Sequence, residues 1–129
     1  MSTTPEQKQA ELGTSSSGIE PNLAAALSYV LTIITGIIFF VIEKENKYVR
    51  FHAMQAILFG AAWIVLWIVL GVVFLGLIFV PVIGWIISAV IYLGLGLGGF
   101  ILWLILMYKA YQGERFKLPV IGDIAEKNA

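Results

Sequence analysis

Hydrophobic and polar positions fall into long blocks along this chain. Uncharged stretches cover 22–42 and 53–108, a hydrophilic interval at 43–52 separates them, and polar ends flank both. The first stretch, 21 residues, suffices for one membrane-crossing helix, which needs about 20 apolar residues. The second, 56 residues from Ala53 to Tyr108, would extend roughly 84 Å as one helix, nearly three hydrocarbon thicknesses. It must therefore fold back. Turning at the glycines of 94–99 would leave one helix far too long and one too short. Turning near Gly76–Pro81 gives two spans of ordinary length, and Pro81 disfavours helical geometry at the residue before it and lacks an amide donor. The pattern predicts an all-α integral membrane protein: a three-helix transmembrane bundle with spans at 22–43, 47–76 and 82–111. A disordered polar tail, 1–21, precedes the transmembrane domain at 22–112, and an interfacial tail, 113–129, follows it.

Local signals refine these elements. Asn46 is placed to cap a helix starting at Lys47, accepting from a free first-turn amide. Tyr48, Phe51 and Gln55 then line one side of that helix, while Lys47 and Arg50 snorkel toward head groups. Gly113 suits the C-terminal cap of the last span, with Lys109 close to the helix end. In the tail, polar and apolar residues alternate before Pro119, so Phe116, Leu118 and Ile121 are expected to be buried along the interface, and Asp123-Ile124-Ala125-Glu126 has capping-box spacing. Small residues recur every fourth position at Ala24, Ser28, Thr32 and Gly36, and Gly94 and Gly98 form a GxxxG pair. Both patterns are expected at close helix contacts. The sharper alternative for the first is a polar pathway through Thr32 and Thr35. For the second it is a dimer face.

Composition agrees with membrane residence, at 60% hydrophobic, 12% charged and a mean hydropathy of +0.93. Net charge is zero with no basic run, which argues against nucleic acid as a partner. The absence of cysteine excludes disulfides and thiol chemistry. The first 20 residues lack the positive n-region of a secretory signal. Three spans would put the 43–52 interval and the C-terminal tail on one side with seven of the eight Lys and Arg residues, leaving only Lys8 opposite. The positive-inside rule then predicts an external N-terminus and a cytoplasmic loop and tail, in the cell (plasma) membrane.

Candidate chemistry is sparse. His52 is the only histidine, so no metal site, cofactor or catalytic constellation is expected. It reads as an interfacial hydrogen-bonding residue, with a proton-relay role as the alternative. The uncharged spans argue against ion-coupled transport. What remains is a polar layer expected at the cytoplasmic surface, comprising Glu43, Asn46, Lys47, Arg50, His52, Gln55, Glu114, Arg115 and Asp123. It reads first as a structural cap and secondly as a partner-binding surface.

The segments Asn46-Lys47-Tyr48-Val49-Arg50-Phe51-His52-Ala53-Met54-Gln55 and Tyr108-Lys109-Ala110-Tyr111-Gln112-Gly113-Glu114-Arg115-Phe116-Lys117-Leu118-Pro119 resemble the hallmark stretches of a small prokaryotic membrane-protein family without established biochemical function. That family is similar, more remotely, to the twenty-kilodalton inner-envelope component of the chloroplast import translocon, which has four spans. The resemblance covers roughly 22–127 and implies fold and location more than activity. The expected function is a small non-enzymatic membrane protein acting through protein contacts, with the bilayer and a membrane-protein partner or second copy as its neighbours. The alternative is an oligomeric pore or carrier for ions, small solutes or polypeptide, lined by Ser28, Thr32, Thr35 and Tyr92.

Overall fold

The computed structural model describes residues 12, 13 and 15–129; the expected disorder of 1–21, and Lys8 with it, falls mostly outside them. Among the described residues five helices follow in order: α1 (Pro21–Leu27), α2 (Ile33–Ile42), α3 (Lys47–Ile78), α4 (Ile83–Tyr111) and α5 (Ile121–Asn128). Only α3 and α4 are long and apolar enough to cross a membrane.

The first apolar run differs from the single span expected over 22–43. It breaks at 28–32 and returns, so α2 runs back along α3. Both ends of this hairpin lie at one end of the bundle: Asn22 Nδ2 donates to the Tyr111 carbonyl at 3.1 Å, and the Ser16 amide donates to Glu43 Oε2 at 2.6 Å. Its tip reaches the level of Gly60, where an added Cβ would stand 3.0 Å from Thr32 Oγ1 and 2.5 Å from Ile33 Cγ1. Gly60 lies thirteen residues into α3, about 20 Å along a helix of about 48 Å. The hairpin therefore lines less than half of that helix.

Non-helical backbone at membrane depth survives only where protein satisfies its polar groups. Thr35 does this at the break. Its hydroxyl accepts from the Leu31 amide at 3.1 Å and donates to the Ser28 carbonyl at 2.7 Å. Trp103 Nε1 donates to the Tyr29 carbonyl. Thr32, at φ 49°, carries the reversal. The small-residue stripe accordingly does not form one helix face: Ala24 and Ser28 belong to the α1 side, buried, while Gly36 sits on α2 against the Ala53 carbonyl, 2.9 Å from where a Cβ would be.

The second reversal falls where chain length and Pro81 place it. Val82 adopts φ 65°, the Ile83 amide donates to the Pro81 carbonyl at 2.8 Å, and the Gly84 amide to the Val80 carbonyl at 3.0 Å. The same device recurs before α5. Pro119-Val120-Ile121-Gly122 repeats Pro81-Val82-Ile83-Gly84, with Val120 at φ 65° and donors from Ile121 and Gly122 to Pro119 and Leu118 carbonyls at 2.6 and 2.8 Å. In each, proline cannot continue the preceding segment, a γ-turn at valine redirects the chain, and glycine is required because a Cβ would meet backbone. The nearest such atoms are the Leu77 carbonyl oxygen, 2.0 Å from the Gly84 position, and Lys117 Cα, 2.8 Å from that of Gly122. Sequence reading found the first turn and missed the repeat.

Packing is confined to the charged end of the molecule. Ala25, Tyr29, Tyr48, Ala56, Phe59, Leu106, Ala110 and Leu118 form one cluster, and Ala24, Phe39, Val49 and Ala53 another. Beyond Gly60, α3 buries no residue, and between Ile83 and Ile105 α4 buries only Gly84. Gly94 and Gly98 have open space where a Cβ would be, so the expected GxxxG contact is not made within the chain. Gly99 makes the close approach instead, lying against the Trp63 ring.

Candidate functional site

Three side chains on one face of α3, at i, i+4 and i+7, hold the C-terminal tail by its main chain. Tyr48 Oη donates to the Ala110 carbonyl and, at 3.3 Å, to that of Glu114. His52 Nε2 bonds the Glu114 carbonyl at 3.0 Å. Gln55 Nε2 donates to the Phe116 carbonyl at 2.9 Å, and Gln55 Oε1 accepts from the Leu118 amide at 3.0 Å. The 114–118 segment belongs to no helix or strand, and its backbone groups at 114, 116 and 118 all meet α3 side chains. The tail is thus held by main-chain groups, which any residue offers except proline at 118.

Tyr29, from the hairpin break, closes the network. Its hydroxyl lies 2.7 Å from His52 Nδ1 and accepts from Gln55 Nε2 at 2.8 Å. A carbonyl can only accept, so Nε2 carries the proton; in a neutral imidazole Nδ1 then accepts from the Tyr29 hydroxyl, and both nitrogens are paired. Tyr29, Tyr48 and Phe51 stand edge-on around it at centroid distances of 5.5, 4.7 and 4.9 Å. Tyr29, Phe51, His52 and Gln55 are all fully buried. Buried polar groups satisfied this completely fix one arrangement, because breaking any bond orphans its partner. Tyr29 was absent from the expected polar layer. Its role depends on a break that hydropathy does not register.

Glu43 and Arg50 tie the other end of the hairpin. Glu43, fully buried, accepts from Ser15 Oγ at 3.0 Å and the Ser16 amide through Oε2, and from the Asn46 amide at 3.0 Å through Oε1. Arg50 was expected to snorkel. Instead its Nη1 caps the C-terminus of α2, donating to the Phe40 and Glu43 carbonyls at 3.0 and 2.6 Å, with the guanidinium 4.0 Å from the Phe40 ring centroid. Those carbonyls have no helical partner, and a cation there also complements the helix dipole. Asn46 caps α3 as its position suggests, accepting from the Tyr48 and Val49 amides at 3.0 and 3.2 Å. Gly113, at φ 84°, ends α4 in a Schellman motif, with the Glu114 and Gly113 amides bonded to the Lys109 and Ala110 carbonyls.

The remaining expected residues are exposed. Lys47 Nζ donates to the Ala129 carbonyl at 3.0 Å, Glu114 pairs with Lys109 at 3.1 Å, and Arg115 lies 5.9 Å from the Phe51 ring centroid. On α5, Asp123 and Glu126 face Lys117, which holds the Glu126 carboxyl below its ordinary range through a hydrogen bond and its charge. Solvent screens exposed pairs of this kind, and they contribute little to stability. The hydroxyls suggested for a pore do not share one lining: Ser28 bonds the Ala24 carbonyl and Thr35 clamps the break, while Thr32 and Tyr92 border a groove between α3 and α4. Among the described residues no three His, Asp or Glu side chains group to hold a metal ion.

Two helices of spanning length, a half-depth hairpin and a polar network sealed at one end define an all-helical membrane protein whose organised chemistry is at a single surface. The chain belongs to the MamF/MmsF family, described as the magnetosome magnetite crystal formation protein family, whose model matches residues 19–125. It is 49% identical over 117 residues to a UPF0132 membrane protein of Methanocaldococcus jannaschii, covering 90% of this chain and 94% of the relative. A UPF0132 membrane protein of Archaeoglobus fulgidus is 44% identical over 110 residues, covering 84% and 95%. A second Methanocaldococcus jannaschii relative is 38% identical over 110 residues, covering 85% of this chain and 71% of its own length. No solved structure matches the chain.

Proposed function

We propose that this protein is a non-enzymatic multi-pass component of the cell membrane that works through protein contacts at its charged face, as a subunit or assembly factor. The observation that carries the reading is the contrast between a sealed interior and a charged rim. The network of Tyr29, Tyr48, His52 and Gln55 leaves no group open for catalysis, whereas Lys44, Glu45, Lys47, Arg115, Asp123 and Lys127 stand exposed around it. Glu45, Lys47 and Arg115 share one shallow polar depression, and Asp123 and Lys127 share another. Charges of both signs on a rigid support favour recognition of a complementary surface. The family description speaks of magnetite crystal formation. The reading for this chain takes from it a membrane-held surface that organises another component. Photo-crosslinkers placed at Glu45 and Arg115 in native membranes are expected to capture one defined protein. Recovery of monomer alone would count against the proposal.

The same reading places both ends of the described chain on the cytoplasmic side, replacing the external N-terminus expected from three spans. The support is that Ser16, Glu43, Tyr111 and the tail share one end, where the seven described Lys and Arg residues also lie, and this satisfies the positive-inside rule with two spans. Single cysteines at Ser16 and Ala129 should react with an impermeant reagent from the cytoplasmic side, and one at Phe79 from the other. Labelling of Ser16 and Ala129 from opposite sides would restore three spans.

A further inference from the structure

Because the hairpin stops at the level of Gly60, α3 and α4 continue past its tip and leave a groove of about 800 Å³ between them, open to the side. Its floor includes Thr32, and its walls include Trp63 and Trp67 of α3 and Tyr92, Gly96 and Trp103 of α4. Phe59, Trp63, Trp67 and Tyr92 form a continuous run of ring contacts with centroid spacings of 6.1, 5.9 and 5.2 Å. On α3 the run lies about 18–30 Å from the charged end of a helix of about 48 Å, near the centre of the hydrocarbon layer.

Polar groups at that depth have no water to bond. Yet among the described residues the indole N–H groups of Trp63 and Trp67 and the hydroxyls of Thr32 and Tyr92 make no hydrogen bond. Indole can only donate, and both hydroxyls can donate. The groove therefore offers aromatic walls and surplus donors, which suits a flat apolar molecule bearing acceptors. Diacyl lipids do not provide this, since their ester carbonyls lie at the membrane interface. A helix of a second copy does not either, because its backbone acceptors are spent internally. We propose that the groove binds a membrane-soluble quinone, a conjugated ring with two carbonyl acceptors on an apolar tail. Its carbonyls accept from the indole and hydroxyl donors while its ring lies against the tryptophans. Apolar lining with few convergent polar groups is the usual form of a small-molecule site.

Three of the four tryptophans line the groove, so their emission reports occupancy directly. The full chain in liposomes is titrated with decylubiquinone. Saturable quenching is expected, with its midpoint raised at least tenfold by Gly96→Leu, since Gly96 has open space into which leucine would project. Tyr92→Phe, which keeps all tryptophans and the ring, should raise the midpoint about fivefold, the equivalent of one hydrogen bond of about 1 kcal/mol. Unchanged far-ultraviolet circular dichroism checks that Gly96→Leu folds; should it not, Tyr92→Phe decides alone. Quenching that rises linearly, or equally in parent and variants, overturns the site. So does saturable quenching by brominated acyl chains that decylubiquinone cannot relieve, or a Tyr92→Cys variant that crosslinks fully into dimers and is not quenched.

Discussion

Gln55→Leu is expected to release the C-terminal tail while leaving both spanning helices in place. The buried glutamine makes three bonds, to the Tyr29 hydroxyl, the Phe116 carbonyl and the Leu118 amide. Leucine has similar volume and replaces none of them. An orphaned buried backbone group costs about 1–3 kcal/mol, and the docked tail leaves two. A loss of about 3 kcal/mol raises the undocked population roughly a hundredfold. Trypsin cleavage at Arg115 and Lys117 in mild detergent should accelerate accordingly, with amide exchange at 114–118 rising in parallel. Glu114→Gln is the informative control. It weakens an exposed pair with Lys109 and should change cleavage little, because Tyr48 and His52 bond the carbonyl of residue 114 and not its side chain. Parent-like cleavage in Gln55→Leu would mean that the three side chains do not hold the tail.

Gly84→Ala should be the most damaging single-methyl change in the spanning region. The new Cβ would fall 2.0 Å from the Leu77 carbonyl oxygen. Overpacking typically costs about 1–3 kcal/mol, and here the obstacle is the backbone of the preceding helix, which no rotamer change can move, so a value near 3 kcal/mol is expected. Gly71→Ala, in open space on α3, should instead stabilise by up to about 1 kcal/mol through helix propensity. Unfolding in mixed micelles against increasing dodecyl sulfate measures both. Equal midpoints for parent and Gly84→Ala would sink the described turn.

These experiments separate two kinds of glycine that sequence alone treats alike. Gly94 and Gly98 carry the recognised spacing and touch nothing within the chain, while Gly60 and Gly99 stand at close approaches without any motif. Spacing along one helix says which residues share a face. It does not say whether another helix is there.

Signals internal to one helix or one turn were legible in the chain. The length of 53–108 required a reversal, Pro81 located it, Asn46 marked the start of α3 and Gly113 the end of α4, because each depends on backbone groups within a few residues. Glu43, His52 and Gln55 were expected in the polar layer and are buried and hydrogen-bonded, but Tyr29 and Tyr48 were not expected there, nor was the arrangement legible. His52 and Gln55 meet carbonyls 62 and 61 residues away, and Tyr29 joins them only because the first run turns back. Hydropathy records how strongly each residue avoids water, and 22–42 avoids it equally whether it crosses the bilayer or returns. Tertiary structure decided that matter: Thr35, Trp103 and the close seat of Gly36 on α3 satisfy a broken helix that lipid could not. The sequence by itself determined that the chain lives in a membrane and where its long run folds. Contacts between distant segments determined how deep the first run goes, which end the described N-terminal residues share, and what space is left at the centre.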